Sequence, residues 1–331
     1  MSRRVTSATL SPEIDEDIFM SKLIITAAIT GSVHTPSLSP YLPVTPDEIA
    51  ADAVKAVAAG ATMVHVHARD PQTGKPSADP KLYEEIVKKI SAEVDAPICI
   101  TTGGSKEMSV AERARSVMLL KPELASLNTG SMNFAIHPLA QKIKQPKHDW
   151  EIPFLQATED WIFPNTFKTL GEFAAFMAEA RTKPELEVYD AGMLGNIQFL
   201  LATGVLKPPV HVQFVLGILG GMQATVGNLV FLHESAVRML GEKTFTWSLS
   251  AAGRAQLPMM ATAMAMGGNV RVGLEDNLYV APKQLATSSA DQVERVVQIA
   301  KALSIEIATA ADARERLGLK GRENVGWAVA A

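Results

Sequence analysis

"TPDEIAADAVKAVAAGATMVHVHARD", residues 45–70, joins two elements of different period. Thr45, Pro46 and Glu48 make a helix start: a hydroxyl cap, a ring already at helical φ, and a carboxylate that reaches back to the cap N–H. Ala- and Val-rich residues at helical spacing follow, and Gly60 supplies the usual stop. The next run, "TMVHVHAR" (62–69), is short and β-rich. A helix that feeds straight into such a strand is the repeat unit of a parallel sheet, because parallel neighbours need a helical crossover.

The same alternation extends along the chain. Further candidate strands are 22–31, 97–103, 124–130, 185–190, 211–217, 244–250 and 269–276, with helices such as 79–94 and 289–303 between or after them. Near-continuous apolar strands imply burial on both faces. Eight units favour an α/β fold of the (β/α)8 TIM-barrel type, a single domain over 22–331, above an open doubly wound sheet. No G-x-G-x-x-G follows the first strand, as a dinucleotide-binding sheet would require. Residues 131–165 form an overlong connection after the fourth strand, expected to serve as a lid or subunit contact. Residues 1–21 are polar and are expected to form a poorly ordered extension.

Composition narrows the partners. The 331-residue chain is 47% apolar and 20% charged, ordinary for a globular protein with a large core. Its net charge of −4 offers no basic field for nucleic acid or anionic lipid. No stretch approaches the roughly 18 apolar residues of a membrane span, and the opening lacks the apolar core of a signal peptide. A lone cysteine, Cys99, suits a reducing compartment, so a cytoplasmic location is expected.

Barrel enzymes build their sites at the C-terminal ends of the strands. Those ends carry His65 and His67, Thr101 to Gly104, Ser126 and Asn128, Glu187, then Arg271, Glu275 and Asp276. His65 and His67 stand two apart on a strand and so leave the same face. Two imidazoles and a carboxylate from a nearby strand can hold a first-row divalent metal with a position left open. Glu275 is placed to be that carboxylate, since the eighth strand lies one strand away from the second in a closed barrel. Asp276 then remains as a base, and Arg271 can orient a carboxylate, bind an acidic substrate or form an interior ion pair. Thr101, Thr102, Gly103 and Gly104 read equally as a carboxylate cradle or a plain Gly-rich turn.

Seven segments, "TAAITGS", "HVHARDPQTGKPSADP", "TTGG", "KPELASLNTGSMNF", "EVYDAGM", "QFVLGILGGM" and "VRVGLEDN", occur in the order found in the β-keto acid cleavage enzymes. From about residue 22 onward the chain resembles that family, the group containing 3-keto-5-aminohexanoate cleavage enzyme. The resemblance implies a (β/α)8 barrel, usually a homotetramer, holding Zn2+ or another divalent metal on His65, His67 and Glu275. It implies Asp276, paired with Arg271, as general base, Thr101 and Ser126 as substrate-holding hydroxyls, and Glu187 as a further site carboxylate. Acetyl-CoA is the implied co-substrate, condensed with a β-keto acid to give acetoacetate and a new acyl-CoA. Where the aminohexanoate enzyme has a glutamate for the substrate's ammonium, this chain has Val33, so a neutral, aliphatic acyl tail is expected. An amino or trimethylammonium tail is the alternative. The rival barrel class with H-x-H, the amidohydrolases, needs histidines at the ends of strands five and six. Here His211 begins its strand, at the wrong end.

Overall fold

The computed structural model describes residues 21–103 and 108–328. Gly104 and residues 1–20 of the expected extension lie outside the described residues.

Eight parallel strands close into a barrel: β1 (Ile25–Ala28), β2 (Met63–Val66), β3 (Ile98–Ile100), β4 (Leu124–Asn128), β5 (Lys183–Val188), β6 (Val210–Leu216), β7 (Phe245–Ala251) and β8 (Asn269–Val272). Each strand pairs with the next, and β8 returns to β1 with Thr26 opposite Arg271. Helices α1 (Pro46–Ala58), α2 (Pro80–Glu93), α3 (Val110–Leu120), α4 (Phe167–Glu179), α5 (Ala191–Ala202), α6 (Val226–Leu240), α7 (Gln256–Ala265) and α8 (Ser289–Ala302) form the outer ring. The start of α1 is the expected capping box, with Thr45 Oγ1 accepting from Glu48 N at 3.2 Å and Glu48 accepting from Thr45 N at 2.9 Å.

The main apolar core lies between strands and helices. Ile25, Val64, Val66, Ile100, Leu127 and Val188 pack outward against buried faces such as Ile49 and Ala53 of α1 or Ile86 and Ile90 of α2. Burying each branched side chain contributes about 1.5–3 kcal/mol. A ninth helix, α9 (Ala310–Leu317), closes the N-terminal end of the barrel, where Ala313 and Leu317 meet Ile24, Met63, Cys99 and Leu124.

The eighth strand is shorter than its sequence predicts, ending at Val272 rather than at 276. Gly273 turns the chain with φ +145°, pressed so close to β1 that a Cβ there would lie 2.0 Å from Ala28 O. The turn is closed by Asp276 N and Asn277 N donating to Gly273 O, both at 3.2 Å. Alternation therefore stops before Glu275 and Asp276, and both carboxylates face inward. The same crowding explains Gly31, whose Cβ would meet Glu275 Cγ at 2.3 Å.

The 131–165 connection folds across the barrel mouth. Met132–Asn133 and Ile162–Phe163 pair antiparallel at its base, enclosing a 3-10 turn (His137–Lys142) and a short helix (Glu151–Gln156). Ile136, Ile143 and Leu155 form a small core of their own, against which Val33 and Leu38 of the loop after β1 pack.

Candidate active site

Beneath this segment lies a cavity of about 1280 Å³, floored by strand ends and roofed by residues 131–165. His65 is inward on β2 and His67 follows one residue past it, their ring centroids 5.2 Å apart. Glu275 reaches both: Oε1 is 3.3 Å from His67 Nε2 and Oε2 is 3.7 Å from His65 Nε2. The three ligand-capable atoms all lie within 4.8 Å of one another. Glu275 Oε2 is buried without a hydrogen-bond partner, an oxygen that a bound cation would satisfy. Burial holds His65 well below the usual imidazole range, so it is in the neutral form that ligates. Burial alone would raise Glu275, but Arg271, His67 and His65 together hold it well below the carboxylate range.

Arg271 organises the acidic side of the site. Its Nε donates to Asp276 Oδ2 at 2.9 Å and Nη2 to Oδ1 at 3.0 Å, while Nη2 also stands 2.6 Å from Glu275 Oε1. Nη1 donates to Gln213 Oε1 at 3.1 Å. A buried ion pair with Asp276 and Glu275 and the orienting of both carboxylates are here one arrangement. Burial and the Glu275 charge push Asp276 above the usual carboxylate range despite Arg271, a direction that favours proton uptake.

Glu187, inward on β5, accepts from Tyr189 Oη at 3.2 Å and lies 3.8 Å from Arg271 Nη1. Burial pushes its carboxyl up to about 8, so at neutral pH it is an uncharged acid able to donate. Thr101, Gly103, Asn128 and Val33 line the cavity. Thr101 Oγ1 accepts from Gly103 N at 2.9 Å, which orders the turn and leaves the hydroxyl proton to donate. Asn128 Nδ2 is a buried donor without a protein partner.

Thr102 and Ser126 bond to each other where β3 and β4 end, with Thr102 Oγ1 donating to Ser126 O at 2.6 Å and Thr102 N to Ser126 Oγ at 3.3 Å. Their hydroxyls fix the strand ends. The sequence reading missed Arg69, which is fully buried. Its Nε donates to Thr30 Oγ1 at 2.7 Å, Nη1 to Gly74 O at 2.8 Å, and Nη2 to the carbonyls of Thr30, Gly31 and His34 at 3.0, 2.7 and 2.8 Å. One guanidinium thus pins the loop that carries Val33 and His34. Its spacing two after His67 was the available signal.

Residues 22–319 match the family model described as beta-keto acid cleavage enzyme. The chain belongs to the β-keto acid cleavage enzyme family. Curated relatives agree over almost their whole length. The 3,5-dioxohexanoate:acetyl-CoA acetone transferase of Paraburkholderia graminis is 45% identical over 306 residues, 92% of this chain and 98% of that protein. The 3-keto-5-aminohexanoate cleavage enzyme of Fusobacterium nucleatum is 38% identical, covering 91% of this chain and 99% of the relative. The solved apo structure of ObcA superposes with a TM-score of 0.67 at 21% identity, over 85% of this chain and 66% of that one, a likeness of fold. This β-keto acid cleavage enzyme is thus an acyltransferase that couples a β-keto acid with acetyl-CoA.

Proposed function

We propose that this enzyme acts on a neutral β-keto acid with His65, His67 and Glu275 holding a divalent cation, zinc by donor type. The observation that carries the reading is the Glu275 carboxylate set between two imidazoles, with the Arg271–Asp276 pair beside it. Bound there, a divalent cation supplies Lewis acidity at the keto and carboxylate oxygens of the substrate. Asp276 takes a proton from the CH2 between them, and Arg271 aims its carboxylate. The resulting carbanion attacks the thioester carbon of acetyl-CoA, forming a C–C bond as the CoA thiolate departs. That thiolate adds to the original keto carbon. The bond from this carbon to the former CH2 breaks, leaving its electron pair on the acetoacetate carbon, which recovers the proton from Asp276. The products are acetoacetate and the acyl-CoA of the tail. Asn128 Nδ2, the Thr101 hydroxyl and the Glu187 acid are donors for the substrate oxygens.

The tail reading rests on the wall around Val33. Leu38, Ile136, Leu139 and Phe154 line the cavity with it. His34 adds no charge, since burial lowers it to about 4 and its Nδ1 is engaged by Leu274 O at 2.9 Å. Among the described residues of that wall an ammonium or trimethylammonium tail would find no counter-ion, and the Lys142 cation that also lines the cavity would repel it. The Paraburkholderia relative, named for 3,5-dioxohexanoate, acts on an acid with an uncharged tail.

A homo-oligomer, a tetramer on the family resemblance, also belongs to this reading. Its support is the set of exposed apolar side chains on α4, α5 and α6: Phe167 and Phe199 meet edge to face at 5.1 Å, and Val226 and Phe231 are exposed as well. A cytoplasmic setting fits the single, buried thiol of Cys99. Among the described residues no helix is long and apolar enough to cross a membrane.

The test is acetoacetate release from acetyl-CoA with neutral, amino, trimethylammonium and dicarboxylic β-keto acids, on zinc-loaded and metal-stripped protein. Turnover with neutral acids, lost on stripping and restored by Zn2+, is expected. Full turnover without any metal, or preference for a charged tail, overturns it.

A further inference from the structure

Below the metal-ligand set the barrel interior is polar, where branched apolar side chains usually fill such barrels. Glu185 of β5 sits there with 0% exposure, in register with Ser126 of β4 and His211 of β6. It does not line the cavity and takes no part in the proton and carbon chemistry at the mouth. A carboxylate this deep must be balanced by hydrogen bonds or charge. Yet Oε1 has no hydrogen-bond partner, and Oε2 has only Cys99 Sγ at 3.6 Å.

Opposite it, His65 Nδ1 is equally buried and unpartnered, 4.0 Å from Glu185 Oε2. An orphaned ring nitrogen thus faces a carboxylate oxygen whose one partner is a thiol, across about 1 Å more than a hydrogen bond spans. Behind Glu185, His211 Nε2 stands 3.8 Å from Oε1 and its Nδ1 lies 2.8 Å from Thr246 Oγ1. The carboxylate therefore lies between two imidazoles and is hydrogen-bonded to neither.

We propose that Glu185 is a positioning residue of the metal centre, accepting the Nδ1–H of His65 so that Nε2, on the Glu275 side, keeps the lone pair that ligates. A neutral imidazole carries a single N–H. With the proton on Nε2 instead, the lone pair of Nδ1 would face the Glu185 carboxylate, and no ligand atom would face Glu275. This assignment rests on the metal reading of His65, His67 and Glu275. Partners of this kind change metal affinity by about 10–100-fold. His65, Cys99 and Glu185 also lie close enough to take an ion themselves, so the test must separate the two arrangements.

The experiment titrates the full chain with Zn2+ against a competing chelator. Glu185→Leu keeps bulk while removing the acceptor and the buried charge. The expected result is a 10–100-fold weaker Zn2+ site in a protein whose metal-free melting temperature is unchanged or higher. In 15N spectra of the metal-free protein, His65 is expected to be the Nδ1–H tautomer in wild type and a mixture in the variant. Glu185→Gln, which retains a carbonyl acceptor, is expected to lose affinity by an intermediate factor and serves if the leucine variant fails to fold. Cys99→Ser is expected to bind Zn2+ as wild type does. Affinities within twofold across the Glu185 variants overturn the proposal, and loss of Zn2+ on Cys99→Ser overturns it in favour of an ion between His65, Cys99 and Glu185. If the wild type itself binds no Zn2+, the metal reading falls and this inference with it.

Discussion

Arg271 grips Asp276 with a two-point fork, Nε to Oδ2 at 2.9 Å and Nη2 to Oδ1 at 3.0 Å, and the same Nη2 lies 2.6 Å from Glu275. One planar cation thus sets both the proposed base and the proposed ligand. Lysine has one point of charge and cannot form the fork while reaching Glu275. Arg271→Lys is expected to lower kcat by about 10²–10⁴-fold, the range for a mis-set general base. Steady-state kinetics on zinc-loaded protein check this. A loss below threefold would mean that the fork does not aim Asp276.

Glu187 gives a pH prediction with a definite sign. Burial raises its folded pKa to about 8, so the protonated donor prevails at pH 7 and is lost as pH rises through 8. If the acid donates to substrate, kcat/KM falls on the alkaline side with an apparent pKa near 8. Glu187→Gln mimics the protonated form, since its amide still donates. Substantial activity at pH 7 and a flattened alkaline limb are expected. A variant that is dead at pH 7 but folded would instead assign Glu187 a charged role.

The alternation of helix and strand was legible because parallel strands buried on both faces, such as β2 with Val64 and Val66, must be apolar. His65, His67 and Glu275 were legible because polar groups at strand ends break that rule. Thr102 and Ser126 show why hydroxyls at strand ends are harder to read, since such a group can also turn to the neighbouring backbone, as both do. The inward turn of Asp276 depends on Gly273 pressing against Ala28, a contact between distant segments that strand periodicity does not encode. Glu185 and Arg69 stayed hidden for the same reason. Their partners lie on other strands and loops, and only closure of the barrel brings them together.

The segment across the barrel mouth is tied to the barrel through Glu151, a buried carboxylate with backbone and hydroxyl partners. It accepts from Ser37 N at 2.9 Å, Ser37 Oγ at 2.7 Å and His148 N at 3.0 Å. Trp150 Nε1 adds a bond to Thr73 O at 3.1 Å on the loop after β2. Glu151→Gln replaces an acceptor by an NH2 among donors, and one charge-assisted bond of this kind is worth about 1.5–3 kcal/mol. A lower melting temperature and a several-fold higher KM, with kcat less affected, are expected. Equal losses in kcat and kcat/KM would show that the latch also shapes the reacting geometry.

Val33 is the position where specificity should turn. It lines the cavity and packs with Leu38 against the lid core of Ile136, Ile143 and Leu155, so a substrate tail that reaches it meets hydrocarbon on the lid side. The neighbouring His34 stays uncharged above pH 5, because burial holds it at about 4. Val33→Glu places an anion where an ammonium tail would lie, and its own desolvation is relieved only when such a tail is bound. The swap is expected to shift kcat/KM by about 10–200-fold between neutral and amino-substituted β-keto acids, falling for the first and rising for the second. Metal content should not change, since Val33 is none of the proposed ligands. The panel assay with wild type and Val33→Glu at matched zinc loading reads this directly. An unaltered order of substrates would show that the tail lies elsewhere in the cavity and that Val33 does not select for neutrality.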